Sequence, residues 1–497
     1  MKSEKFAVTV ENVYLCTRFM WIIATILVYF AVLFGISRLT GRRATNETFF
    51  RANRRSPWYM VAFGMVGASI SGVTFVSVPG MVTRIDMTYM QTCLGFILGY
   101  VAVAFLLLPL YYRLNLTTIY SYLGQRLGPH SYKTGASFFL LSKMTGAVVR
   151  FYVVCMILQR FVFDQWGVPF ALTVLVMVGL IWLYTRQGGI RTLVWTDTFQ
   201  TLCLFTALLL IIYKVIGELD WTVGEAVRRI MDDPHSRMLV MDDWVSKQNF
   251  WKQFLSGVFI VIVMTGLDQD MMQKNLTCKT LREAQKDMCT YGVAFVPANL
   301  LFLSLGVLLV LLAGLTGSEV VAGDGLLPSF VERGGLSVVI PFTIGLVAAS
   351  FSSADSALTS LTTSCCVDIL EKPGDEGLRK RVHVGVSLTF VCLILLFRLL
   401  NSTSVIDAIY VLCGYTYGPL LGLFAFGMLT HRRTDDRRVP YICVASPLLC
   451  YAVDALTQRF TGYQFGYELL MLNGVLTFTA LLVNSRGIPS AGCQTAS

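Results

Sequence analysis

Residues 345–370 read GLVAASFSSADSALTSLTTSCCVDIL, a run of hydroxyls with two carboxylates, Asp355 within the hydroxyl-rich part and Asp368 near its end, among apolar neighbours. Ser352, Ser353, Ser356, Thr359, Ser360 and Thr363 recur three or four residues apart, so on a helix their hydroxyls share one stripe, which Asp355 borders. Hydroxyls, carbonyls and carboxylates are hard oxygen donors, and their natural guest is a small hard cation. An ionisable side chain in lipid costs roughly 2.5–3.5 kcal/mol on insertion scales, so this face should look onto a protein interior, a watery cavity or an ion. The competing explanation is packing, because Ser and Thr also let membrane helices approach closely.

A second stretch carries complementary chemistry. Residues 58–82, WYMVAFGMVGASISGVTFVSVPGMV, hold Gly64, Gly67, Gly72, Gly80 and Pro79, poor choices for an uninterrupted helix. A break is expected between Gly67 and Gly72, with Ser69, Ser71 and Thr74 beside it. Where a membrane helix unwinds next to a cavity, its freed carbonyls can coordinate a cation and its freed amides can meet an anion. Close packing through small residues is the alternative here too. Lys143 and Arg150 lie seven residues apart and hence on one helix face, with Arg150 well inside an apolar run. A cation so placed needs a partner: a carboxylate on a substrate, Asp197 or Asp355, or failing these the bilayer surface.

The elements that must position these groups are membrane helices. Of 497 residues, 55% are hydrophobic and 14% charged, and mean hydropathy is +0.64. Soluble domains carry about 25% charged residues and lack repeated apolar runs of about 20 residues. The fold class is therefore all-α integral membrane. Helices are expected over 19–39, 57–83, 88–112, 135–163, 167–184, 192–216, 250–273, 288–315, 335–367, 383–400, 404–430, 439–457 and 464–484, about thirteen spans in a single transmembrane domain 1–497. The first run follows a polar leader, is longer than a signal-peptide core, and should be retained as a span. The net charge of +10 sits in short loops and reads as a topology signal rather than a nucleic-acid surface. Loops 41–56 (GRRATNETFFRANRRS) and 431–438 (HRRTDDRR) are basic and should be inside, and the acidic loop 217–249 outside. This places the N-terminus outside and the C-terminus inside a cell membrane, the inner one in a bacterial host. Helices 57–216 and 250–430 form two five-helix blocks that start on opposite sides, the arrangement an inverted-repeat transporter needs, with 19–39 before them and 439–484 after.

Four segments resemble the signatures of the sodium/solute symporter family, in family order: GASISGVTFVSVPG at 67–80, GGIRTLVWTDTFQ at 188–200, TGLDQDMMQKNL at 265–276 and SSADSALTS at 352–360. The resemblance covers roughly residues 10–485 and implies a leucine-transporter-like fold of ten core helices. It implies a sodium site from the carbonyls of Gly67, Ile70 and Ala349 and the hydroxyls of Ser352 and Ser353. Asp197 matches an acidic residue that some members place beside a second sodium, with positions matching Ser352, Asp355 and Ser356. A carboxylate at 355 departs from the small or hydroxyl residue found elsewhere in the family. Asp197 and Asp355 could together hold a second sodium, share a proton or pair with a basic residue. Ser69, Ser71 and Thr74 resemble the hydroxyl trio of the family's sialic acid transporters, with Gln91 nearest to their glutamine and Lys143 and Arg150 as further substrate candidates.

Other classes are poorly provided for. The four histidines are expected in loops, which leaves a metalloenzyme or histidine-based catalyst little to build with. Thirteen cysteines without a CxxC pair are expected as buried thiols. There is no Walker-type phosphate loop to drive pumping by ATP. The expected function is sodium-coupled symport of a small organic solute, a hydroxylated anion such as sialic acid or a sugar acid. A neutral sugar, polyol or amino acid is the alternative, and a channel or transporter-like sensor the alternative of a different class. The expected partners are sodium, the substrate and lipid.

Overall fold

The computed structural model of the protein describes residues 2–42, 45–244, 246–400, 405–463 and 465–486. In a bilayer every backbone amide and carbonyl must find its partner within the protein, and for these apolar runs that means helix. The principal helices are α1 (Lys2–Thr40), α2 (Trp58–Ser69), α3 (Gly72–Ile85), α4 (Tyr89–Ala102), α5 (Pro129–Leu158), α6 (Phe170–Thr185), α7 (Ile190–Glu218) and α8 (Phe250–Val261). They continue as α9 (Gln269–Asn275), α10 (Leu281–Thr316), α11 (Leu336–Ser364), α12 (Glu376–Leu400), α13 (Val405–Leu429), α14 (Val439–Thr461) and α15 (Leu469–Val483). Among the described residues, eight helical stretches are long and apolar enough to cross a membrane, or nine if Phe250–Gly266 and Gln269–Asn275 count as one bent span. Each expected span overlaps one or two of these helices, but length and composition do not by themselves establish thirteen crossings.

The hydroxyl-rich α11 is the most enclosed of the spans: 67% of its apolar window is buried, against 22% for α12 and for the α14 region. It packs along α7 and α5, and α7 in turn packs along α2. Two glycines permit these approaches. A side chain at Gly67 would overlap Thr201 on α7, and one at Gly72 would overlap Ser350 on α11.

The first core helix is broken where expected. α2 ends at Ser69, Ile70 leaves the helical region (φ −82°, ψ 89°), and the Ser71 side chain caps α3 at the Thr74 amide. Three expectations are corrected. Helix α1 starts at Lys2, so the polar leader is helical; hydropathy locates a span, not the end of its helix. The stretch 250–273 is two helices meeting at 70°, not one span. After a wide turn over Ile262–Gly266 the helix ends at Leu267, and Asp268 caps α9 by accepting from the Asp270 amide at 2.8 Å. His383, expected in a loop, is buried within α12, its Nε2 against the Thr185 hydroxyl at 3.1 Å and its Nδ1 against Thr362 at 2.9 Å. The described thiols are free, and most are buried or half-buried, Cys392 being exposed.

Candidate ion and substrate site

The two breaks face one cavity. Its wall includes Ser69, Ser71, Gly72 and Thr74 at the first break, Met264, Thr265, Asp268 and Asp270 at the second, Lys143 and Arg150 on α5, Tyr291 on α10, and Ser353 on α11. The Ser69 hydroxyl is hydrogen-bonded to that of Tyr291, which also accepts from the Tyr100 hydroxyl at 2.7 Å. Ser71 and Thr74, both on the cavity wall, share a weak contact of 3.3 Å.

The α5 cations have different fates. Lys143 Nζ lies 2.6 Å from Asp270 Oδ2 and 3.2 Å from Asp268 Oδ2, and the Tyr417 hydroxyl donates to the latter at 2.6 Å. Arg150, half-buried on the same face, has neither ion pair nor hydrogen bond among the described residues. Two cations and two carboxylates make the wall formally neutral, with the guanidinium as its uncommitted charge.

Beside the cavity, α2 and α11 are tied by Ser353, whose hydroxyl lies 3.0 Å from the Ala68 carbonyl and 3.2 Å from that of Ala349. Ser352 donates to Asp197 Oδ1 at 2.7 Å. A hydroxyl whose proton is held in this way turns its lone pairs elsewhere, as a cation ligand must. Gly67, Ile70 and Ala349 are all buried at the same crossing.

Asp197 has a partner that sequence reasoning missed. Its Oδ2 is 2.7 Å from Lys274 Nζ on α9, and the two side chains are 1% and 2% exposed. The basic residue at the carboxylate pair is therefore Lys274 and not Arg150. The signal was present, since a lysine in a buried segment raises the same question as Arg150. Asp355 Oδ2 accepts from the Tyr184 hydroxyl at 2.6 Å, but Asp355 Oδ1, Ser356 Oγ and Thr359 Oγ1 are buried without hydrogen-bond partners among the described residues. Gln91 is not brought to the cavity. Its amide donates to the Gln248 carbonyl at 2.9 Å and accepts from the Val240 amide at 2.9 Å, so it pins the loop before α8.

Two interrupted helices around a central polar cavity are the architecture of a membrane carrier. The chain belongs to the sodium:solute symporter family, whose sequence model matches residues 49–436. It is 26% identical over 414 residues to the sodium/iodide cotransporter of Homo sapiens, covering 79% of this chain and 62% of that protein's length. It is 24% identical over 467 residues to the sodium/sialic acid symporter NanT of Aliivibrio fischeri, covering 88% of each. The fold matches a substrate-bound, outward-open Na+-coupled sialic acid symporter with a TM-score of 0.79 at 19% identity, over 94% of this chain and 99% of the other. The chain is thus a transporter with a leucine-transporter-like fold, in a family coupled to sodium.

Proposed function

We propose that the protein couples sodium entry to uptake of a hydroxylated carboxylate, of the sialic acid or sugar acid class, by alternating access. Arg150 carries this reading: a guanidinium with no counterion, on the cavity wall with Ser71 and Thr74, suits a carboxylate with hydroxyls nearby. A neutral sugar would leave that charge unmatched. The names of relatives such as NanT point to the same substrate class.

The proposed sodium ligands are the carbonyls of Gly67, Ile70 and Ala349 and the hydroxyls of Ser352 and Ser353; support comes from the Ser353 contact across the α2 break. Bound there, sodium would tie α2 to α11 and favour the substrate-accepting state, and its release inside would loosen that tie. Coupling requires that sodium bind one state better than the other. A second sodium is proposed at Asp355 and Ser356, with Thr359 joining them, because three unpartnered buried oxygens converge on one helix stripe while Lys274 already engages Asp197. The two blocks 57–216 and 250–430 are proposed as inverted repeats, supported by the helix break that opens each. The charge bias of the loops supports an N-terminus outside and a C-terminus inside. An impermeant thiol reagent should label a cysteine introduced at 217–249, and labelling at 431–438 in intact cells would reverse this orientation.

Arg150→Gln tests the substrate assignment. Loss of a charge-assisted contact of about 1.5–3 kcal/mol should raise KM for a sialic acid roughly 10- to 150-fold with little change in half-maximal sodium. An unchanged KM would remove Arg150 from the substrate site.

A further inference from the structure

A second pocket, this one basic, lies away from the transport cavity, where the end of α6, the turn after α1 and the first turns of α12 meet. Three cations, Arg186, Arg379 and Lys380, face it against one carboxylate, Glu376. Arg379 is only 2% exposed, its guanidinium 4.3 Å from the centre of the Phe49 ring, and its Nε and Nη1 have no hydrogen-bond acceptor among the described residues. Its Nη2 reaches Glu376 Oε1 at a long 3.4 Å, and Lys380 Nζ competes for the same oxygen at 3.1 Å. His383 adds no acceptor, because both ring nitrogens are already engaged by Thr185 and Thr362. A buried guanidinium with three of its five N–H donors unmet, in a pocket of net positive charge, calls for an anion with several oxygens.

The surroundings indicate which anion. Lys380, Val384 and Leu388 follow at i, i+4 and i+8 on α12, so a cation at the pocket leads onto an apolar stripe. Val384 is 39% and Leu388 55% exposed, and Leu183 on α6 is 41% exposed. Arg186 stacks 5.3 Å from the Trp182 ring, the amphipathic pairing found at the membrane–water boundary. A soluble anion would use the cations and leave the stripe unused, whereas a phospholipid would use both. We propose that this pocket binds the phosphate headgroup of an anionic phospholipid, with an acyl chain along Val384 and Leu388. It lies at the end of the bundle that carries the basic 41–56 loop, where anionic lipid would also meet the loop's charge.

The test uses the full-length protein in detergent and reads the thermal unfolding midpoint against added phosphatidylglycerol, phosphatidylcholine, or inorganic phosphate matched in ionic strength with chloride. Phosphatidylglycerol should raise the midpoint, and the other two should not. Arg186→Gln with Lys380→Gln leaves buried Arg379 in place, so the variant should fold. It should need on the order of thirtyfold more phosphatidylglycerol for half the shift. An equal response of wild type and variant would overturn the site. A shift produced by phosphate alone would overturn the lipid assignment in favour of a soluble anion, and no shift with any addition would overturn both.

Discussion

Lys274→Met is expected to remove most folded, transport-competent protein, the largest effect foreseen for a single substitution. Asp197 is 1% exposed, and without the ammonium 2.7 Å away its carboxylate keeps only the Ser352 hydroxyl as a donor. Breaking a buried pair by deleting one partner costs about 3–5 kcal/mol, a large share of the 5–15 kcal/mol typical of a domain. Combining Lys274→Met with Asp197→Asn removes both charges and should restore much of the stability, because the penalty arises from the orphaned charge. Thermal unfolding of the purified variants checks both. A single variant as stable as wild type would mean that the pair does not hold α9 to α7.

Asp355→Asn is expected to act on cooperativity rather than folding. The amide can still accept from the Tyr184 hydroxyl, so that hydrogen bond survives. What is lost is the negative charge beside Ser356 Oγ and Thr359 Oγ1. If these oxygens hold a second sodium, the Hill coefficient for sodium should fall from near two toward about one, since it cannot exceed the number of coupled sites. Ser353→Ala should instead weaken the first site, so that half-maximal stimulation needs more sodium. A Hill coefficient unchanged by Asp355→Asn would exclude the second ion from this position.

The parts of this architecture legible in the sequence follow from local composition. Glycines around Ile70 and Ser71 mark a helix that cannot run through, and the three- and four-residue spacing from Ser352 to Thr363 puts the hydroxyls on one face before any contact is known. The second break was hidden because Phe250–Gly266 and the short α9 average into one apolar window. Its local sign is Asp268, a capping residue just after Gly266. The pairing of Asp197 with Lys274 joins positions 77 residues apart (274 − 197), and no periodicity encodes a contact between separate helices. Gln91 shows the converse: its type suits a sugar ligand, but Val240 and Gln248 claim its amide. Sequence spacing gives the face of a helix, whereas the neighbour of that face is a tertiary fact.

The most direct measurement is uptake of a labelled sialic acid into vesicles containing the purified protein, with an inward sodium gradient or with potassium in its place. If Ser352 and Ser353 hold the coupling sodium as proposed, the wild type should accumulate substrate above the external concentration only under the sodium gradient. Ser352→Ala with Ser353→Ala should lose that stimulation while inserting normally, since Ala packs between helices as readily as Ser. Equal uptake in sodium and potassium, or a double variant with wild-type sodium dependence, would contradict sodium coupling at the α2–α11 crossing.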